Sequence, residues 1–217
     1  MLSPCLQQNE FYELRKVIHI KTRLVRAVYI VNKYKIRSHE REMFEQQIRK
    51  LKKIDHPAVS KIYELFKNDH RFFVVMEYKH GASLADALEE QRYFEESAAA
   101  ALIWQLLGLL GHCHKRAITH TDLKLTSICF NSKRQDILKV MDFSISKIFR
   151  VEEVVDQSIG RAVLSAPETV SGQTSSKSDI WSCGIILFIL LCGEPPIIAN
   201  TRNKLIHKFK SCKSLLN

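Results

Sequence analysis

The chain has 217 residues, 46% of them hydrophobic and 26% charged, with a net charge of +10. That is enough for one folded domain or for two small lobes sharing a cleft. Its longest apolar run, Ile185 to Cys192, falls well short of the roughly 20 residues a membrane span needs.

Met1 to Phe11 carries neither the charged nor the apolar region of a secretory signal. The cysteines at 5, 113, 129, 183, 192 and 212 form no Cys-x-x-Cys pair. That spacing argues for reduced thiols in the cytoplasm or nucleus, and against a zinc site or a disulfide frame.

Thirteen Lys or Arg crowd the stretch from Arg15 to Lys53, and five more, with no acid, lie between Arg202 and Lys213. An anionic partner (nucleic acid, an acidic peptide, a phosphoinositide surface) is one reading. No aromatic residues interleave the cluster as a stacking platform, so a solvated basic lobe is preferred and nucleic acid is not expected. Leu24 to Val31 reads as a strand, with Ala27 and Tyr29 on one face and Val28 and Ile30 on the other. Residues 1–10 read as a tail, and Tyr12 to Ala27 as too short for two strands joined by a long turn. The first glycine is Gly81. Ahead of it, no glycine-rich loop can bring bare backbone N–H groups against a phosphate.

Arg37 to Ile54 has a helix pattern, with Ser38 as N-cap and Phe44, Ile48 and Leu51 on one face. Asp55-His56-Pro57 stops it. Val59 to Phe66 and Arg71 to Tyr78 then form a hairpin around Lys67-Asn68-Asp69-His70. Ala98 to His114 is a second helix, on which His112, Cys113 and His114 point to different sides; packing is favoured there over a metal.

Two short apolar runs, Ser127 to Phe130 and Ile137 to Met141, flank a polar loop and predict another hairpin. It would gather Asp122, Lys124 and Asp142 at one end. A carboxylate to accept a proton, a lysine for a phosphate and a second carboxylate for a metal make a phosphoryl-transfer kit. Asp179 to Cys192 is a helix apolar nearly all round, hence expected to be buried, and Gly193-Glu194-Pro195-Pro196 ends it.

Four motifs in order resemble the eukaryotic protein kinase family. They are His120-Thr121-Asp122 with Ser127, Asp142-Phe143-Ser144, Ser165-Ala166-Pro167-Glu168, and Lys177-Ser178-Asp179-Ile180-Trp181-Ser182-Cys183-Gly184. The nearest subfamily look is that of calcium/calmodulin-dependent and calcium-dependent kinases, from Leu191-Cys192-Gly193-Glu194-Pro195-Pro196 and Ile54-Asp55-His56-Pro57; no EF-hand pattern is present.

The resemblance implies an α+β bilobal fold, with a small lobe over residues 11–78, a large lobe over 79–209 and a tail from 210. The front strands and the last helices would be missing, among them the arginine that pairs with the Glu168 position. It makes Asp122 the proton acceptor and Lys124 the γ-phosphate contact. It puts Ala27, Met76, Glu77, Tyr78, Cys129 and Asp142 at the nucleotide, and Asp142 and Ser127 at the metal.

The departures set the functional expectation. Tyr29 stands in the place of the lysine that meets the phosphates, and a phenol is neutral at pH 7. Gln47 takes the place of that lysine's glutamate partner. Thr121 replaces an arginine that clamps phosphorylated activation loops. Ser127 replaces a metal-binding asparagine, and Ser144 a glycine. Gly160-Arg161 stands where Gly-Thr is usual. The sequence therefore predicts a pseudokinase acting by protein binding, with a weak ATP-dependent Ser/Thr kinase as the alternative. ATP and Mg2+ are its cofactors only if the family activity survives.

Overall fold

The computed structural model describes residues 5–8, 11–131, 137–141, 163–170, 173, 175–199 and 201–215. Its first half is an antiparallel sheet of β1 (Cys5–Gln8), β2 (Tyr12–Ile18), β3 (Val25–Asn32), β4 (Ile62–Lys67) and β5 (Arg71–Glu77), in the order β1-β2-β3-β5-β4. Being central, β3 is covered on both faces, and Ala27 to Val31 are all buried. That matches its β-branched composition.

Two sequence expectations are corrected here. Cys5–Gln8 is a strand, not part of a tail, and with β2 it supplies the front of the sheet. The expectation that the front strands are missing is overturned by this pair; Tyr12 to Ala27 itself holds β2 and only the start of β3, and the additional strand comes from upstream.

Helix α1 (Ser38–Leu51) buries Phe44, Ile48 and Leu51, and the Phe44 ring meets Phe72 of β5 at 5.0 Å. Its N-cap is Arg37 and not Ser38. The Arg37 N–H donates to the Glu40 carboxylate at 3.1 Å, so the chain turns in one residue early.

The second half holds α2 (Leu84–Gln91), α3 (Glu96–His114), β6 (Ile128–Phe130), β7 (Leu138–Val140), α4 (Pro167–Val170), α5 (Ser176–Cys192) and α6 (Arg202–Leu215). β6 and β7 pair as the predicted hairpin, Cys129 opposite Lys139. On α3 the buried residues Ala99, Leu102, Ile103, Leu106, Leu109, Leu110 and Cys113 recur every three or four positions. Each buried leucine there contributes about 2 kcal/mol.

α5 packs on α3 but is not enclosed: Ile180, Phe188 and Leu191 stay exposed. The expectation of burial all round is corrected to burial on one side. The helix ends at Gly193, whose φ of +77° is the left-handed conformation a glycine C-cap supplies.

Several contacts tie the two halves together. The Ser60 N–H donates to the Val140 carbonyl at 3.1 Å and the Val140 N–H to that of Ala58 at 2.7 Å. The Lys139 ammonium meets the Glu77 carboxylate at 2.8 Å. Gly81 passes so close to β6 that a Cβ there would lie 2.1 Å from the Phe130 carbonyl oxygen. One buried cluster runs from Leu14 to Leu190 through both halves.

Candidate active site

The loop carrying Asp122 is hung from a single carboxylate. Asp179, 1% exposed near the start of α5, accepts the backbone N–H groups of His120 at 2.8 Å and Thr121 at 2.7 Å. Its Oδ2 also takes the Nε2–H of His114 at 2.8 Å. A carboxylate out of water survives only with such donors around it. The pull holds Thr121 at φ +66°, a left-handed conformation that is costly for a β-branched residue. His120, fully buried, donates Nε2–H to the Met141 carbonyl at 2.9 Å, and its Nδ1 accepts the Asp122 N–H at 3.4 Å. Those two bonds fix the neutral tautomer. The sequence marks Asp179 only as part of a helix motif; its signal is the lone acid of a largely apolar helix.

With the loop so anchored, the Lys124 ammonium lies 3.6 Å from the Asp122 carboxylate. The structure thus brings together the predicted proton acceptor and phosphate contact. Ser127 is 2% exposed; its hydroxyl donates to the Lys124 carbonyl at 2.9 Å and accepts the Lys124 N–H at 3.2 Å. That hydroxyl closes the loop on itself, and a metal would have to compete for it. Cys129 is buried on β6, bridged to Ser83 just past the lobe junction. Ser83 caps α2 in a reciprocal pair with Asp86, and those hydrogen bonds hold the Asp86 carboxyl below the usual carboxylate range. Asp142, with Phe143, Ser144 and Gly160-Arg161, lies outside the described residues.

On the small-lobe side, strand register puts Leu14, Lys16, Ala27, Tyr29, Val74 and Met76 on one face of the sheet. Tyr29 is 1% exposed, and its ring stands edge-on to that of Tyr12. Lys16, the cation β2 contributes to this face, sits over the Tyr78 ring at 5.1 Å, at the lobe junction. Lys33 is turned the other way, to the Asn68 carbonyl and the Phe72 ring. Met76 is buried, while Glu77 is spent on Lys139 and on the Lys61 N–H. At the β3 position where the family resemblance places an ammonium, the described residues offer the packed phenol of Tyr29, and the first glycine of the sequence is Gly81.

A five-stranded lobe over a helical one, with a carboxylate–lysine pair at the seam, is the kinase-like bilobal arrangement. The chain belongs to the eukaryotic Ser/Thr protein kinase family, since residues 9–216 match the protein kinase domain. It is 32% identical over 190 residues to calcium-dependent protein kinase 4 of Plasmodium falciparum, covering 86% of this chain and 36% of that protein. To calcium-dependent protein kinase 5 of Plasmodium berghei it is 29% identical over 206 residues, covering 94% and 36%. The chain thus spans about a third of these relatives' length. The solved structure of Rad53 residues 1–466 in complex with AMP-PNP shares the fold, with a TM-score of 0.81 over 96% of this chain and 52% of that one at 23% identity.

Proposed function

We propose that this chain is a pseudokinase that acts by binding a protein, with ATP binding and phosphoryl transfer impaired. The observation that carries this reading is Tyr29, buried and packed on Tyr12 where the family places its phosphate-binding lysine. Phosphoryl transfer is nearly all positioning and charge stabilisation. Losing one preorganised donor typically costs about 2.7–4 kcal/mol of transition-state stabilisation, or on the order of 10²–10³ in rate. Here the ammonium and the glycine-loop amides are both replaced.

One feature favours a second reading, a weak ATP-dependent Ser/Thr kinase. Asp122 and Lys124 remain paired on a loop that Asp179 holds rigidly. Incubating the purified chain with Mg2+, radiolabelled ATP and casein separates the two. The pseudokinase reading expects no more label in casein than Asp122→Asn gives. Label that disappears with Asp122→Asn would replace it with the second reading.

A further inference from the structure

The β2–β3 turn, residues 19–24, is built as a rigid tip with its apolar side chains outward. The His19 N–H donates to the Leu24 carbonyl at 2.9 Å and the Arg23 N–H to that of His19 at 2.8 Å. His19 Nδ1 and the Thr22 hydroxyl lie 2.7 Å apart and close the turn from the side-chain end. Arg23 is held at φ +58°. On this frame Ile18, Ile20 and Leu24 are 55%, 84% and 51% exposed. Three exposed aliphatic side chains, two on one tight turn and one at the strand end that enters it, need an explanation that a single exposed leucine does not.

Charge around the tip is of one sign. From Leu14 to His39 there are eight Lys or Arg and no Asp or Glu. Lys21 and Arg23 are exposed on the turn itself. Behind them the Arg26 guanidinium carbon sits over the Tyr63 ring at 3.9 Å and Lys16 over Tyr78. Of the acids on the strands behind, Glu13 is paired with Arg15 and Glu77 with Lys139.

We infer that this tip is a membrane-surface site, at which Ile18, Ile20 and Leu24 enter the interfacial region of an anionic phospholipid bilayer while Lys21 and Arg23 meet its headgroups. An apolar point backed by cations is the arrangement that interfacial binding rewards, through apolar burial and attraction to acidic lipid together. A convex turn suits a soft medium that closes around it. The contact is peripheral, because no helix among the described residues is long and apolar enough to cross a membrane. It also gives the basic small lobe a use, where sequence alone favoured plain solvation.

Co-sedimentation of the full chain with phosphatidylcholine vesicles, with and without phosphatidylserine, tests this. Binding is expected only with phosphatidylserine, weakening as salt rises. Ile20→Asp should lower it about tenfold or more while leaving the melting temperature unchanged, since Ile20 is 84% exposed. Ile20→Trp should show a blue-shifted emission on vesicles and be quenched by brominated lipid. Ile20→Asp binding as well as the parent chain, or an unshifted Ile20→Trp emission, would overturn the inference. So would binding to RNA or heparin but not to vesicles, which would leave a charge-driven polyanion site instead.

Discussion

Tyr29 and Tyr12 meet edge to face across the small-lobe sheet, their ring centroids 5.0 Å apart and their planes at 70°. Such a pair adds about 0.5–1.5 kcal/mol beyond the area it buries. The family's lysine position has thus become part of the core. Tyr29→Lys should destabilise the fold by about 3–5 kcal/mol, because the ammonium would be buried without a partner. Adding Gln47→Glu, at the family's partner position on α1, should recover part of that loss. Urea denaturation of the two single variants and the double variant checks it. A Tyr29→Lys chain as stable as the parent would mean that the site readily accepts a cation.

The tension between Asp179 and Thr121 gives two effects of opposite sign. Asp179→Ala strips the acceptor from the His120 and Thr121 N–H groups and from His114. It should cost about 3–5 kcal/mol, the range for breaking a buried, hydrogen-bonded charge. Thr121→Gly relieves a left-handed backbone worth about 1–2 kcal/mol and removes a buried hydroxyl that has no hydrogen-bond partner among the described residues. Net of the entropy glycine adds to the unfolded chain, it should stabilise by up to about 1 kcal/mol. Denaturant midpoints report both; a destabilised Thr121→Gly would show that the threonine contributes something other than strain.

Acid should weaken the fold through His56. Burial first, then His112 and Lys139, hold its pKa below the ordinary 6.5. Its Nδ1 accepts the Ala58 N–H at 3.1 Å and its ring lies 5.0 Å from that of His112. The unfolded chain therefore binds this proton more readily than the folded one. The stability that neutral His56 provides is full above pH 6.5 and is lost as pH falls through the lower folded value. His56→Asn should flatten the stability–pH curve just below 6.5; an unchanged slope would rule His56 out as its source.

Much of this was legible in the sequence because periodicity and turn residues are local signals. The β6–β7 hairpin, the α1 face of Phe44, Ile48 and Leu51, and the meeting of Asp122 with Lys124 all followed from them. What escaped depends on partners distant in the chain. Cys5–Gln8 is strand only because β2 pairs with it. Apolar composition all round α5 could not say that its Ile180, Phe188 and Leu191 side is uncovered among the described residues. The Glu77–Lys139 bridge joins residues whose local sequences give no reason to pair them. The departures at Tyr29 and Gln47 were visible at once, but the packing of Tyr29 on Tyr12 was not.

On the proposed pseudokinase reading, Tyr29 in the lysine's place leaves the cleft unable to hold a nucleoside triphosphate. The most direct test of that central claim is the melting temperature of the full chain with and without Mg·ATP in the millimolar range, with Asp142→Ala alongside. The account predicts no shift in either protein. A ligand at 100 times its dissociation constant stabilises by about 2.7 kcal/mol; a rise of that size, abolished by Asp142→Ala, would contradict it.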